Sequence, residues 1–100
     1  MLQAFPMESA HTVAHILLVE DESPIQELVS VNLARAGHRV ECAQDAERAR
    51  EMVRAVLPDM ALVDWSLPGM SGLDFARQLR ADPRSRRMAI IMGSGRSDER

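Results

Sequence analysis

Residues 62–72 read LVDWSLPGMSG, and this stretch decides the fold. The apolar run from Met60 to Val63 ends in one carboxylate, Asp64. A Pro-Gly loop and the start of a helix follow Asp64. A short apolar run bounded by turn residues is typical of a strand buried on both faces, as in a parallel α/β sheet. Because ligand sites in such sheets lie beyond the carboxyl ends of the strands, Asp64 stands where we expect chemistry.

A second acidic cluster ends an earlier apolar run in the same way. Residues 16–19 are followed directly by Glu20, Asp21 and Glu22. If both runs are strands of one parallel sheet, their carboxylates meet at the same edge. Carboxylates held close together repel one another, and a bound divalent cation relieves that repulsion. Ligand sets made only of oxygen favour Mg²⁺, or Mn²⁺, over zinc, so the sequence predicts such a site.

Strands and helices alternate along the rest of the chain. The predicted order is strand 16–19, a helix from Ser23 to a stop at Gly37, strand 38–43, a helix from Asp45 to Pro58, strand 60–64, a helix from Ser71 to Asp82, and strand 88–92. Such alternation implies right-handed crossovers and a parallel sheet with helices on both faces. The predicted fold class is therefore α/β, with a doubly wound parallel sheet.

Each predicted helix begins with a capping signal. Ser23 can cap the first helix, Pro24 suits its first position and Gln26 completes a capping box. Asp45 and Ser71 can cap the second and third helices. The apolar positions predicted to face the sheet are Ile25, Leu28, Val29, Leu33 and Ala36 in the first helix, Ala46, Ala49, Met52 or Val53, and Val56 in the second, and Leu73, Ala76 and Leu79, with Phe75 beside them, in the third.

Length and composition restrict the class of protein. One hundred residues with 46% hydrophobic content suit one small globular domain. A net charge of -3 predicts no direct binding of this segment to nucleic acid or to an anionic membrane. A single cysteine, Cys42, excludes an internal disulfide and fits a reducing compartment, so we expect a cytoplasmic protein. Residues 1–14 lack the features of a secretion signal, and we interpret them as a disordered leader ahead of a domain at 15–100.

The acidic residues suggest a reaction at phosphorus. A carboxylate beside Mg²⁺ can act as a nucleophile toward phosphorus and form an aspartyl phosphate. Ser94, between Gly93 and Gly95 after the last strand, could offer its hydroxyl to a phosphoryl oxygen. Taken singly, these residues are more often turn, cap or solvated loop residues. Their joint placement at strand ends favours the phosphate and Mg²⁺ interpretation.

From about His15 to Arg100 the chain resembles the receiver domain of a two-component response regulator. Three segments carry the resemblance: LVEDE with Pro24 (residues 18–24), PDMALVDWSLPGMSG (residues 58–72) and IIMGSGR (residues 90–96). The pattern Asp-x-x-Leu-Pro-x-x-Ser-Gly after an apolar strand, with an acidic pair upstream, is specific to this family. The resemblance implies a flavodoxin-like receiver fold with strand order 2-1-3-4, C-terminally incomplete because the fifth strand is missing.

The resemblance also implies a role for each site residue. Asp64 is the expected phosphoacceptor. The expected donor of the phosphoryl group is a sensor histidine kinase or a phosphotransfer protein. Asp21 is expected to ligate Mg²⁺ directly, Glu20 through a water, and Ser66 through its backbone carbonyl. Ser94 is the expected switch hydroxyl, which couples the site to an output surface. Such a protein catalyses only its own phosphoryl transfer, so we expect no other enzyme activity. As part of a transcription regulator its full-length form could dimerise.

The chain departs from the family pattern in two places. The family usually carries a lysine at the end of the fifth strand, and this chain has no lysine, since all 12 basic residues are arginine. We therefore expect a truncated receiver with impaired phosphorylation. The second departure is mild, because Ser94-Gly95 stands where Thr or Ser followed by Ala is more usual.

Three alternatives compete with the phosphoacceptor reading. The missing lysine favours a receiver-like scaffold that acts through protein contacts without phosphorylation, whereas the intact set of Glu20, Asp21 and Asp64 argues against it. A phosphatase of the haloacid dehalogenase type needs a second Asp where this chain has Ser66. A nucleotide-binding Rossmann domain needs a Gly-rich loop after the first strand, and this chain has none there.

Overall fold

A computed structural model describes residues 13–93, which form a four-stranded parallel sheet with three α-helices. The elements are β1 (His15–Val19), α1 (Ser23–Arg35), β2 (Arg39–Ala43), α2 (Ala46–Ala55), β3 (Met60–Asp64), α3 (Gly72–Ala81) and β4 (Ala89–Gly93). The strand order is β2-β1-β3-β4, and every neighbouring pair is parallel. The predicted α/β class and the order 2-1-3-4 are confirmed, and residues 13–93 contain no fifth strand.

Hydrogen bonds join the start of β1 to the beginnings of both neighbouring strands. The backbone N–H of Ala14 donates to Nδ1 of His38 at 3.1 Å, and its carbonyl accepts from the N–H of Arg39 at 2.9 Å. One residue later, the N–H of His15 donates to Oδ2 of Asp59 at 2.7 Å, and its carbonyl accepts from the N–H of Asp59 at 2.8 Å. Apart from its last two residues, the predicted leader (1–14) lies outside the described residues.

Helices α2 and α3 pack on one face of the sheet and form the main core. Alternation along the strands directs Leu17 and Val19 of β1 to this face, where Phe75 of α3 is fully buried. The core consists of Leu17, Val19, Ala43, Ala46, Ala49, Val53, Ala61, Val63, Leu67, Phe75, Leu79 and Met88. Within residues 13–93, no helix combines the length and the hydropathy that crossing a bilayer requires.

Helix α1 lies on the opposite face, where Leu18 and Leu62 face its residues Ile25 and Val29. No residue of α1 is fully buried, and Leu28 is 63% exposed, so the predicted inward position of Leu28 is wrong. Helical spacing shows which residues share a side of the helix, but burial also needs neighbours that cover its flanks. Among the described residues α1 has no neighbouring helix on this face, and Ile91 of β4 is consequently 52% exposed.

The capping box predicted for the first helix is also wrong. Ser23 is already helical, the N-cap is Glu22, and no side chain caps the helix. Pro24 lies in the first turn, as predicted. The side chain of Gln26 instead donates from Nε2 to the backbone carbonyl of Glu20 at 3.0 Å. The amide is therefore used to hold the β1–α1 loop rather than the helix start.

The other two predicted caps are confirmed. Asp45 accepts from the N–H of Arg48 at 2.7 Å, and the Ser71 hydroxyl accepts from the N–H of Asp74 at 3.0 Å. Val56, predicted to face the core, is 58% exposed. The reason is that α2 ends at Ala55, so Val56 adopts an extended conformation and leaves the helical register.

Gly72 lies where the first turn of α3 approaches the end of β3 most closely. A Cβ atom at this position would collide with the backbone carbonyl of Asp64 and come within 3.1 Å of Cγ1 of Val63. The N–H of Gly72 also donates to the carbonyl of Trp65 at 3.3 Å. Only glycine therefore lets α3 begin directly beside the strand that ends in Asp64.

We expect Gly72→Ala to lower the free energy of unfolding by about 1–3 kcal/mol, because the methyl group must push α3 away from the backbone of β3. Urea denaturation measures this loss. The matched control is Gly93→Ala, since a Cβ at Gly93 meets no atom within 4 Å. We expect the control to change stability by no more than about 0.5 kcal/mol. Equal losses in the two variants would contradict the close approach at Gly72.

Candidate functional site

Parallel pairing of β1 with β3 brings the two acidic segments together. Val19 pairs with Val63, so Glu20 and Asp64 are the next residues at the same edge of the sheet. One carboxylate oxygen from each of Glu20, Asp21 and Asp64 lies within 4.8 Å of the others. The three carboxylates that the sequence places at strand ends therefore form one cluster.

Two members of this cluster are almost fully removed from water. Glu20 and Asp64 are each 4% exposed, whereas Asp21 is half-buried. Oε2 of Glu20 accepts from the N–H of Glu22 at 3.0 Å, and Oδ1 of Asp64 accepts from the N–H of Ser66 at 3.2 Å. Oδ2 of Asp64 is buried and accepts a hydrogen bond from no donor among the described residues. A buried carboxylate oxygen without a donor is costly, and a cation or a covalent group satisfies it.

Burial, and to a smaller extent the neighbouring carboxylates, raise the pKa of Glu20. Burial raises the pKa of the Glu20 carboxyl above its ordinary value of 4.5, because water no longer solvates the charged form. The hydrogen bond from the N–H of Glu22 opposes this rise, while the nearby carboxyl groups of Asp64 and Asp21 add to it. The site thus carries an excess of negative charge that a divalent cation would offset.

Backbone hydrogen bonds fix the segments that carry the carboxylates. The N–H of Glu20 donates to the carbonyl of Ala43 at 3.0 Å, which continues the pairing of β1 with β2 beyond the strand. After Asp64, the N–H of Trp65 donates to the carbonyl of Gly93 at 3.0 Å. The indole of Trp65 is 46% exposed at the rim of the site. The position of each carboxylate is therefore set by the sheet rather than by a free loop.

Sequence reasoning missed the residue that holds the loop between β3 and α3. Glu47, in the first turn of α2, accepts from the N–H of Met70 at 3.2 Å through Oε2. The same carboxylate lies against Gly69, which has a φ of 72°, a left-handed conformation that favours glycine. Acidic residues are common in the first turn of a helix, where the helix dipole stabilises them. The local sequence therefore does not show that Glu47 also binds the loop.

The predicted roles of two further site residues, Ser66 and Ser94, are not tested by the structure. Ser66 lies in the loop after Asp64 and donates its N–H to that carboxylate, and the metal-ligand role of its carbonyl remains a prediction. Ser94 lies outside the described residues, directly after Gly93 at the end of β4. Its role as the switch hydroxyl also remains a prediction.

An apolar groove of about 230 Å³ adjoins the carboxylates on the α1 face. Ile25 and Val29 of α1 line one side, and Leu62 and Ile91 of the sheet line the other. Glu20 and Asp64 also line the groove. Among the described residues, the acidic cluster therefore lies beside the less covered face of the sheet.

Comparisons with known proteins agree with this geometry. The family model described as the response regulator receiver domain matches residues 16–100. The chain is 38% identical over 84 residues to the phosphate regulon transcriptional regulatory protein PhoB of Pseudomonas aeruginosa. That match covers 84% of this chain and 37% of PhoB, so the chain spans little more than a third of this curated relative.

Solved structures show the same fold. The chemotaxis response regulator CheY4 of Vibrio cholerae matches with a TM-score of 0.78 and 31% identity, over 81% of this chain and 68% of that one. The receiver domain of the sensor histidine kinase PA1611 of Pseudomonas aeruginosa matches with a TM-score of 0.76 and 32% identity, over 81% and 66% of the two chains. That structure has a magnesium ion coordinated in its active site cleft. Sequence motif, carboxylate cluster and fold agree, and the chain belongs to the response regulator receiver domain family.

Proposed function

We propose that this chain receives a phosphoryl group on Asp64, in a Mg²⁺-dependent reaction, as the receiver of a two-component signalling protein. The observation that carries the proposal is the buried Oδ2 of Asp64, which accepts no hydrogen bond from the described residues and lies in a cluster of three carboxylates. A carboxylate oxygen beside a divalent cation can act as a nucleophile toward phosphorus. The proposed phosphodonor is a phosphohistidine of a sensor histidine kinase or of a phosphotransfer protein.

In the proposed reaction, a carboxylate oxygen of Asp64 forms a bond to phosphorus as the bond from phosphorus to the donor's imidazole nitrogen breaks. The imidazole leaves with the electron pair of that bond. The N–H of Ser66 holds Oδ1 of Asp64, so the carboxylate keeps one orientation during the attack. The chain thus catalyses only its own modification and turns over no other substrate.

The donor set fits Mg²⁺ because it consists of carboxylates, and Mn²⁺ suits the same ligands. Asp21, which is half-buried, is the proposed direct ligand, together with Asp64 and the carbonyl of Ser66, while Glu20 acts through a water. When bound, the ion supplies positive charge that offsets the charge of the carboxylates and of the incoming phosphoryl group. The magnesium ion in the related PA1611 receiver supports this assignment.

Because the related PhoB is named a transcriptional regulatory protein, we propose that phosphorylation of this chain also regulates transcription. Ser94 is the proposed switch hydroxyl between the phosphoryl group and the output surface. The 100 residues contain no lysine, so the phosphoryl group gains no lysine partner from them. One alternative is a receiver-like scaffold that acts through protein contacts without phosphorylation.

The two functions differ in their response to a small phosphodonor. With acetyl phosphate and Mg²⁺, we expect the parent chain to gain one phosphoryl group and Asp64→Asn to gain none, because the amide is not a nucleophile. Intact-mass spectrometry measures the modification. The control Asp74→Asn makes the same chemical change at an exposed residue of α3 and should be modified like the parent. Equal modification of Asp64→Asn, or a folded parent that is never modified, would contradict the proposal, and the second result would favour the scaffold.

The raised pKa of Glu20 predicts how the site affects stability. Because the folded-state pKa lies above the unfolded value of 4.5, the contribution of Glu20 to stability is present below pH 4.5 and is lost as the pH rises through the folded-state pKa. In metal-free buffer, Glu20→Gln should therefore be more stable than the parent at neutral pH, and this advantage should disappear below pH 4.5. Urea titrations at several pH values measure the difference.

Mg²⁺ should remove or reverse the neutral-pH difference, because binding stabilises the parent more than the variant with one carboxylate fewer. Glu27→Gln, the same change at an exposed position of α1, is the control and should follow the parent throughout. A Glu20→Gln protein that is less stable than the parent at neutral pH without metal would contradict the assigned charge crowding.

A further inference from the structure

The arginines of this chain fall into two groups. Within residues 13–93, three arginines lie within 4.0 Å of a carboxylate: Arg39 beside Glu41, Arg48 beside Glu51 and Arg77 beside Asp74. Seven others have no carboxylate that close in this part of the chain. One of them, Arg35, ends α1, and the remaining six gather on α2, at the end of α3 and in the turn before β4. We call these six the arginine cluster: Arg50, Arg54, Arg80, Arg84, Arg86 and Arg87.

Neutral oxygens hold several of these guanidinium groups in place. Nη1 of Arg80 donates to the carbonyls of Met88 and Arg86, at 2.6 Å and 2.8 Å. Nη2 of Arg84 donates to the carbonyl of Val53 at 3.1 Å. Arg50 likewise donates through Nη1 to the side-chain oxygen of a glutamine at 3.3 Å. Since a guanidinium has five N–H donors and these partners carry no negative charge, the cluster is partly fixed but not neutralised.

Two pockets lined by both polar and apolar residues adjoin the cluster and share Arg84. The larger, of about 420 Å³, combines Arg86 and Arg87 with Leu57 and Met88. The smaller, of about 200 Å³, lies between α2 and α3. It combines Arg50 and Arg54 with Val53, Phe75 and Leu79. Val56 and Leu57, which follow α2, are 58% and 38% exposed. The surface thus offers positive charge and exposed apolar side chains together.

We propose that the arginine cluster is a docking surface for an acidic polypeptide segment of a partner protein, with apolar side chains between its carboxylates. Charge complementarity supplies the attraction, and the pockets accept the apolar side chains. A nucleic-acid backbone fits less well, because it has no apolar side chains that could cover Leu57, Val53 and Met88 in these pockets.

This surface is separate from the carboxylate cluster. Pro58 and Met88, which line the larger pocket, precede β3 and β4, whereas Asp64 ends β3. The strand between them has a length of roughly 13 Å at the usual rise per residue. The two sites therefore lie at opposite edges of the sheet, and a partner can occupy one while the other remains accessible. The proposal does not depend on phosphorylation of Asp64.

A fluorescein-labelled peptide that alternates Glu with Leu is the probe, and fluorescence anisotropy at low ionic strength measures its binding to the full chain. We expect saturable binding that weakens as salt is added. The double variant Arg86→Gln, Arg87→Gln should weaken binding about tenfold. Neither side chain donates a hydrogen bond among the described residues, so the fold should persist, and circular dichroism checks this. The control Arg35→Gln, Arg39→Gln removes the same charge elsewhere and should bind within about twofold of the parent.

Several results would overturn the proposal. They are the absence of saturable binding to the parent, equal weakening in the control variant, and unchanged binding of a peptide with Ser in place of Leu. Tighter binding of a DNA duplex than of the peptide would assign the surface to nucleic acid instead.

Discussion

The register between β1 and β3 is the constraint on which the rest of this structure depends. Pairing of Val19 with Val63 forces the carboxylates that follow each strand to the same edge of the sheet. That placement concentrates negative charge in a buried position, which raises the pKa of Glu20 and leaves an oxygen of Asp64 without a donor. Backbone hydrogen bonds from Glu20 and Trp65, together with the close approach at Gly72, hold the two segments in this arrangement.

The two faces of the sheet contribute unequally to stability and to function. Helices α2 and α3 enclose nearly all the fully buried side chains, including Phe75, and this face holds β3 in place. The other face is covered by α1 alone among the described residues, which leaves a groove beside Glu20 and Asp64. The packed core thus positions Asp64 at the end of β3. The arginine cluster lies near the N-terminal ends of β3 and β4, whereas the carboxylate cluster lies at the C-terminal ends of β1 and β3.

The sequence predicted the features that depend on short-range patterns. Apolar runs that end in acid identified Glu20, Asp21 and Asp64, and the alternation of elements, with the family resemblance, gave the strand order. The errors at Ser23, Leu28 and Val56 concern what neighbours cover or cap a residue, which spacing alone does not specify. Glu47 and Gln26 act on loops outside their own elements, so only the folded chain reveals them. Arg84, Arg86 and Arg87 lie close together in the sequence, and only folding brings Arg50, Arg54 and Arg80 near them.

Trp65 provides the most direct test that the carboxylates form a metal site, because it follows Asp64 immediately and its indole is partly exposed at the rim. The measurement is Trp65 fluorescence during a Mg²⁺ titration of the parent and of Asp64→Asn, with circular dichroism to confirm that both are folded. We expect a saturable change in the parent and a markedly weaker response in the variant. A folded parent that shows no change, or a variant that responds with the same affinity, would contradict a metal site at these carboxylates.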